Sequence, residues 1–310
     1  MASNLHVSAL YDVSGRWVAI TGAASGIGRM IARGCVVNGA NTILIDVNEQ
    51  ALDETEKELE GLASSSSSIF KPAIVTSVCI SFAPINLLTS SQSIRADLSS
   101  EEGIKEAVNK IKSSRDSLDA LVHCAAVRYM NEIAYTPGED LSKLEAATLS
   151  APYKGWEHSF RLNVLAPYYL TSGLISLLGA SAAKGEGRGC VVMFSSPASV
   201  HNHQFVPCYQ TSKAAVDHLV RILAAELAEF YIRVNAMSPG LVPSAMTPND
   251  GSSNLRLAEV TPARRAGNEE DMVGTALWLI SKAGAFMDGK VIRVEGGRLL
   301  ILKGVTSNSD

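Results

Sequence analysis

Tyr209 and Lys213, in the stretch YQTSK, stand four residues apart, so on a helix their side chains share a face one turn apart. A free phenol has a pKa of about 10, too high for efficient proton transfer at neutral pH, and a neighbouring cation favours its ionised form. Such a pair also arises by chance on any helix, so it needs company. Ser196, in FSSPAS, lies thirteen residues before the tyrosine and offers a hydroxyl to an oxygen on which charge develops. Asn163, in RLNV, is a further polar candidate. Each has a plainer reading: Ser196 or Ser195 ends a strand, and Asn163 marks a kinked helix.

A second constellation lies near the start. TGAASGIG (21–28) follows an apolar run and opens a helical pattern. Gly22, Gly26 and Gly28 let the backbone turn tightly and approach a pyrophosphate at the positive end of the helix dipole. Asp46 closes the next apolar run, eighteen residues after Gly28. A carboxylate there accepts from the adenosine ribose hydroxyls and repels a 2′-phosphate. No Arg or Lys stands at Ser25, Val47 or Asn48. NAD(H) is therefore favoured by Asp46, with NADP(H) left open; a carboxylate capping the following helix is the competing reading.

The elements that must position these groups alternate. RWVAIT (16–21), NTILID (41–46), LDALVH (118–123), GCVVMFS (189–195), IRVNAM (232–237) and KVIRVE (290–295) read as buried strands. Ile27–Val37, Glu49–Leu59, Gly103–Ile111, Trp156–Leu178, Ala214–Phe230 and Asp271–Ser281 carry helical spacing, the last capped by Asn268 and its acidic neighbours. The pattern predicts one α/β domain over 1–310, a Rossmann-type doubly wound parallel sheet of about seven strands with helices on both faces. Residues 130–155, polar with Pro137-Gly138, read as an enlarged loop near the ligand end of the sheet.

Composition removes several function classes. The chain has 310 residues, 46% of them hydrophobic, which is enough for a large core. A net charge of −4 argues against a nucleic-acid surface. Five scattered cysteines without a CxxC suit a reducing compartment and argue against a disulfide framework or a metal site. The opening MASNLHVSALYDVSGRW lacks the basic region and apolar run of a secretory leader, so a cytoplasmic location is expected, with no membrane partner.

Taken together, the motifs resemble the short-chain dehydrogenase/reductase superfamily over nearly the whole chain. TGxxxGIG is matched at 21–28, the acidic-apolar pair beside the adenine at Asp97-Leu98, the catalytic serine at Ser196 and YxxxK at Tyr209 and Lys213. The helix asparagine is matched at Asn163, and the proline-glycine turn at SPGLVPS (238–244), with Ser244 where threonine is usual. Fungal secondary-metabolism reductases look most similar within the superfamily.

The resemblance implies an oxidoreductase that interconverts a hydroxyl and a carbonyl on a small molecule, such as a polyketide, with Tyr209 as acid/base. It implies Ser196 on the substrate oxygen, Lys213 on the nicotinamide ribose and beside the phenol, and Asn163 anchoring a water that relays protons. It also implies dinucleotide contacts from Gly22, Ser25, Gly26, Ile27, Gly28, Asp46, Asp97, Leu98, Ala125, Tyr209, Lys213, Pro239, Gly240, Val242 and Ser244. Substrate walls are expected at 197–208 and 128–155, with a lid around 241–266 and a homodimer or homotetramer formed through helices 156–178 and 208–230.

His123-Cys124-Ala125-Ala126 departs from the family's NNAG; here His123 reads as a satisfied structural histidine, Cys124 as a buried apolar residue, and cofactor binding as weakened or altered. His201 and His203 read as surface residues, and Arg264 and Arg265 as structural. A catalytically weak dinucleotide sensor or scaffold is the alternative function, favoured only by this departure and by an insertion.

That insertion, residues 62–93, opens with Ser64–Ser68 and turns apolar at 73–88, bracketed by Pro72 and Pro84. It is too short for a membrane span, which takes about 18 or more apolar residues. Back-translated, Val78-Cys79 admits GTATGT, Leu88-Thr89 admits CTAAC and Gln92 admits CAG. These resemble a fungal intron's donor, branch point and acceptor, so residues 78–92 read as either a retained intron or an exposed apolar loop.

Overall fold

In the computed structural model, residues 4–65, 75–76, 92–204, 206–248 and 254–302 are described. The strands are β1 (Trp17–Thr21), β2 (Asn41–Asp46), β3 (Val75–Thr76), β4 (Gln92–Arg95), β5 (Ala120–His123), β6 (Cys190–Phe194), β7 (Arg233–Pro239) and β8 (Val291–Val294). All pair in parallel, in the order β3-β2-β1-β5-β6-β7-β8, with β4 also on β2. The order reverses at β1, and the carboxyl ends of β1 and β5 flank the crevice where such sheets bind ligands.

Period-two alternation within the strands creates two cores. Ala19, Ile43, Ile45, Leu121 and Val191 bury one face against α4 (Glu101–Ser114), α7 (Ala166–Ala182) and α8 (Pro207–Leu227). Val18, Ile20, Leu44, Val122 and Val192 bury the other against α2 (Gly26–Val37), α3 (Glu49–Ser65) and α9 (Glu269–Ile280). The result is three layers, as the continuous apolar strands require. The remaining helices are short: α1 (Val7–Leu10), α5 (Leu141–Leu149), α6 (Tyr153–Phe160) and α10 (Arg298–Ile301).

Three departures from the sequence expectation have physical causes. The enlarged loop at 130–155 contains α5, whose start is fixed by Asp140 accepting from the Lys143 N–H at 2.8 Å. Helix 156–178 is broken by a π turn at Arg161–Leu165, just before Pro167 in the first turn of α7. Proline has no N–H to continue the ladder, so the hydrogen bonding shifts register there. The strand β4 went unrecognised across the end of the insertion. Val75 pairs with Thr42 and Gln92 with Ile43, so β3 and β4 lie end to end along one edge of β2, and the sheet has seven strand positions. The retained-intron reading of 78–92 falls almost wholly on 77–91, outside the described residues.

Tyr153–Ala182 is long and apolar enough to cross a membrane by length and composition, yet 44% of its apolar window is buried. Leu170, Leu174 and Leu178 supply that inward face.

Candidate active site

The loop after β1 is built around one close approach. Gly22 has φ +66°, and a Cβ there would stand 2.8 Å from the Ala125 nitrogen, in the segment that follows β5. The Ala125 N–H in turn donates to Thr21 Oγ1 at 3.1 Å. A Cβ on Gly28 would lie 2.1 Å from the Gly22 carbonyl, so α2 can start this close to β1 only with glycine. Ser25 caps α2, exposed and with its hydroxyl unused for capping. The first N–H groups of a twelve-residue helix therefore open onto the crevice, a geometry made for a pyrophosphate.

Asp46 accepts from the Ala24 N–H at 3.1 Å and the Asn48 N–H at 3.0 Å, while Asn48 itself caps α3 through the Ala51 N–H. Asp46 thus braces the glycine loop and leaves the capping to Asn48. Asp97 is held below its usual carboxylate range chiefly by the Ser99 hydroxyl at 2.7 Å, so it is ionised beside the crevice.

A cavity of about 550 Å³ runs along the carboxyl ends of the strands. Gly22, Ser25, Gly26, Ile27, Gly28, Asp46, Asp97, Leu98 and Ala125 line it, and so do Ser196, Tyr209, Lys213, Pro239, Gly240, Val242 and Ser244. Every residue expected from the sequence is there except Asn163. A dinucleotide fits this wall: a glycine cradle that side chains would fill, a helix start beneath it, and a carboxylate at the far strand end.

The two serines after β6 separate cleanly. Ser195 is buried and donates to Asp217 of α8, which is a structural role. Ser196 accepts from the Ala198 N–H at 3.2 Å, and its hydroxyl acts on the Tyr209 phenol in favour of the phenolate. Tyr209 and Lys213 sit one turn apart in the first turns of α8, as expected. The charge relation between them differs from the expectation. Burial pushes the phenol above its ordinary value, opposed by the Ser196 bond and the Arg128 charge. Lys213 turns its ammonium to the Phe194 carbonyl at 2.7 Å, 5.6 Å from the Tyr209 ring centroid. Burial brings Lys213 down to about 8, with Asp217 opposing. Arg128 is thus a cation that favours the phenolate.

Asn163 lies in the π turn, 2% exposed. Its Oδ1 accepts from the Val127 N–H at 2.9 Å; its Nδ2 donates to the Val127 carbonyl at 2.9 Å and to Ser212 Oγ at 3.0 Å. The amide is spent on tying the segment after β5 to α8. Asn163 is thus a positioning residue through its side chain. Its carbonyl faces Pro167 four residues on, which has no N–H to give it.

The altered segment after β5 is packed as structure at His123 and faces the cavity at Cys124. His123 is 3% exposed, hydrogen-bonds Thr171 Oγ1 at 3.0 Å and is brought down to about 3 by burial, hence neutral. Cys124 is half-buried and lines the cavity, with its thiol pushed up by desolvation. His201 is buried rather than at the surface, because its carbonyl is held by Gln210 Nε2; His203 is exposed, and neither lines the cavity. Arg265 forms a two-bond pair with Asp271 at 2.5 and 2.9 Å, the structural role expected of it.

Arg128, Gln204 and Thr247 line the cavity from the expected wall and lid segments without having been singled out, and Arg298 lines it from outside every expected segment. Arg128 donates to the Met246 carbonyl at 2.8 Å and joins the segment after β5 to the lid. Thr247 pairs with Ser244 through backbone bonds at 3.2 and 3.0 Å, closing the turn after β7. Only spacing from distant motifs could have pointed to them, and loop residues carry no such spacing.

The comparisons with known proteins agree with this geometry. A family model described as enoyl-(acyl carrier protein) reductase matches residues 82–298, and one described as short chain dehydrogenase matches 16–77. The short-chain dehydrogenase/reductase PhomF of Diaporthe leptostromiformis is 30% identical, with 94% of each chain covered. The rhamnolipids biosynthesis 3-oxoacyl-[acyl-carrier-protein] reductase of Pseudomonas aeruginosa is 30% identical over 93% of this chain and 97% of that one. A solved structure, the Pseudomonas aeruginosa RhlG/NADP active-site complex, superposes with a TM-score of 0.71 at 29% identity, covering 93% of this chain and 97% of that chain.

Proposed function

Since the chain belongs to the short-chain dehydrogenase/reductase family, we propose that this oxidoreductase uses NAD(H) to interconvert a hydroxyl and a carbonyl on a small organic substrate, with Tyr209 as acid/base. The observation that carries the reading is one cavity in which Ser196, Tyr209 and Lys213 share walls with the glycine cradle. The bound nicotinamide supplies or accepts the hydride.

This chain's residues do the rest. Ser196 donates to the substrate oxygen and steadies its developing charge. Tyr209 gives that oxygen its proton in reduction and takes it back in oxidation. Lys213 is placed to hold the nicotinamide ribose hydroxyls, and its charge then bears on the phenol. The Asn163 carbonyl, released by Pro167, is placed to hold a water that resupplies protons. Retention of all three groups at the reaction centre argues against a sensor or scaffold role.

Asp46 favours NAD(H), although one solved relative is titled as an NADP complex. A 2′-phosphate at the end of β2 would meet the Asp46 carboxylate, and Arg29, the nearest arginine along α2, is committed to Glu58 at 2.8 Å. A secondary-metabolite substrate such as a polyketide is part of the proposal, supported by one relative named as a rhamnolipids biosynthesis 3-oxoacyl reductase. A cytoplasmic homodimer or homotetramer is the companion proposal. Its support is Leu165, Tyr168 and Tyr169 on one helix path and Ile222 and Phe230 on the other, apolar side chains left exposed.

The test is oxidation of NADH and of NADPH with a ketone panel. We expect NADH to be preferred by roughly tenfold or more, the size of one charge–phosphate repulsion. Asp46→Ser with Val47→Arg should reverse the preference. A wild type that prefers NADPH would mean that Asp46 serves only the glycine loop.

A further inference from the structure

Two of the arginines buried among the described residues spend their terminal nitrogens on backbone carbonyls, and a third does not. Arg16, 3% exposed, donates to the Ile280 and Glu186 carbonyls at 2.9 Å each. Arg233, 7% exposed, donates to the Gly284, Met287, Gly187 and Leu279 carbonyls. Arg298 is equally buried, 7% exposed, at the start of α10. Among the described residues, its guanidinium forms neither a hydrogen bond nor an ion pair. It lines the same cavity as Ser196 and Tyr209. Glu295 acts on it only through its charge, with Oε2 accepting from the Leu299 N–H. A desolvated, unpaired guanidinium is costly, and it remains charged at any physiological pH. A second unpartnered group, the buried Asn254 Oδ1, lines the cavity from the lid.

Position separates this site from the cofactor's anions. The sheet order places β8, which leads into α10, four strand positions from β1 and five from β2. At about 4.8 Å per strand, Arg298 follows a strand roughly 19 Å across the sheet from the pyrophosphate loop and farther still from Asp46. That spacing favours the substrate over the cofactor as the source of an anion at Arg298. Arg128, which acts on the Tyr209 phenol and has no carboxylate partner among the described residues, adds positive potential in the same cavity.

Resting on the oxidoreductase reading above, we propose that the substrate is an oxo acid (a hydroxy acid in the reverse direction). Its carboxylate is received by Arg298. The guanidinium fork suits a carboxylate's two oxygens. The distance between the Arg298 site and the Ser196–Tyr209 pair then selects the spacing between carboxylate and carbonyl.

The experiment compares acetoacetate and levulinate with their methyl esters, in wild type, Arg298→Met and Arg298→Lys, using NADH. Wild type should favour the better acid over its ester by roughly tenfold or more in kcat/KM, the scale of a charge-assisted bond. Arg298→Met should bring that ratio to about one, and Arg298→Lys should restore part of it. Equal use of acid and ester by wild type, or a ratio indifferent to Arg298, overturns the proposal and leaves the oxidoreductase reading standing. A loss of NADH affinity in Arg298→Met without any change in the ratio also overturns it, because the anion was then the cofactor's. Ligand-observed NMR with levulinate on the NADH-saturated protein needs no turnover. Binding to wild type and not to Arg298→Met supports the proposal even if every ketone fails as a substrate, whereas binding alike or not at all overturns it. Thermal melts of both variants confirm that the fold is intact.

Discussion

Tyr209→Phe is expected to lower kcat by about a thousandfold, within the range general acid–base groups contribute, while NADH binding stays nearly intact. The phenol is the one group on the cavity wall with a transferable proton placed against Ser196. Phenylalanine keeps the ring that packs at the start of α8 and removes only the hydroxyl. The pH dependence has a definite sign. Protonated tyrosine serves reduction, so the reductive rate should fall as pH rises through the phenol's pKa, and the oxidative rate should rise. Burial raises that pKa and Arg128 lowers it, so Arg128→Gln should move both limbs to higher pH. Steady-state rates in both directions from pH 6 to 11, about the span needed to bracket a phenol near 10, check this. Unchanged kcat in Tyr209→Phe would remove the phenol from the chemistry.

Gly22→Ala should weaken NADH binding at least tenfold or so, the effect of about 1.4 kcal/mol. The new Cβ would meet Ala125 backbone atoms at 2.8 and 2.9 Å, and φ +66° is strained for any side chain. The left-handed backbone alone costs about 1–2 kcal/mol. Gly15 gives the matching control, with φ +69° and nothing within 4 Å of a built Cβ. Gly15→Ala should therefore lose stability alone, whereas Gly22→Ala loses stability and affinity together. Fluorescence titration with NADH beside thermal melts separates the two, and equal affinity in both variants would mean that the contact at Ala125 does not shape the cradle.

Much of this site was legible because its chemistry is tied to fixed spacing. Tyr209 to Lys213 is one helical turn, and TGAASGIG must sit between a strand and a helix. What escaped depended on three-dimensional neighbours. The Lys213 ammonium is near the phenol in sequence, yet in the fold it spends its hydrogen bond on Phe194. Arg298 follows a strand far from the motifs and joins them only as a wall of one cavity. Among the elements, α5 escaped because a polar stretch with Pro137-Gly138 hides a helix that begins only at its Asp140 cap. β4 escaped because four residues carry too little periodicity, and pairing with β2 is what makes them a strand. The break in helix 156–178 was written in NVLAP. Proline at 167 removes the donor that the Asn163 carbonyl would otherwise use.

The central claim is hydride transfer to a carbon whose oxygen faces Tyr209 and Ser196. The most direct measurement is transfer of deuterium from nicotinamide-labelled NADH to a reduced ketone or oxo acid, read by mass spectrometry and NMR. The predicted result is deuterium on the carbon that bears the new hydroxyl, in wild type and barely detectable in Tyr209→Phe. Tight NADH binding with no label in any product, or equal labelling by Tyr209→Phe, would contradict it.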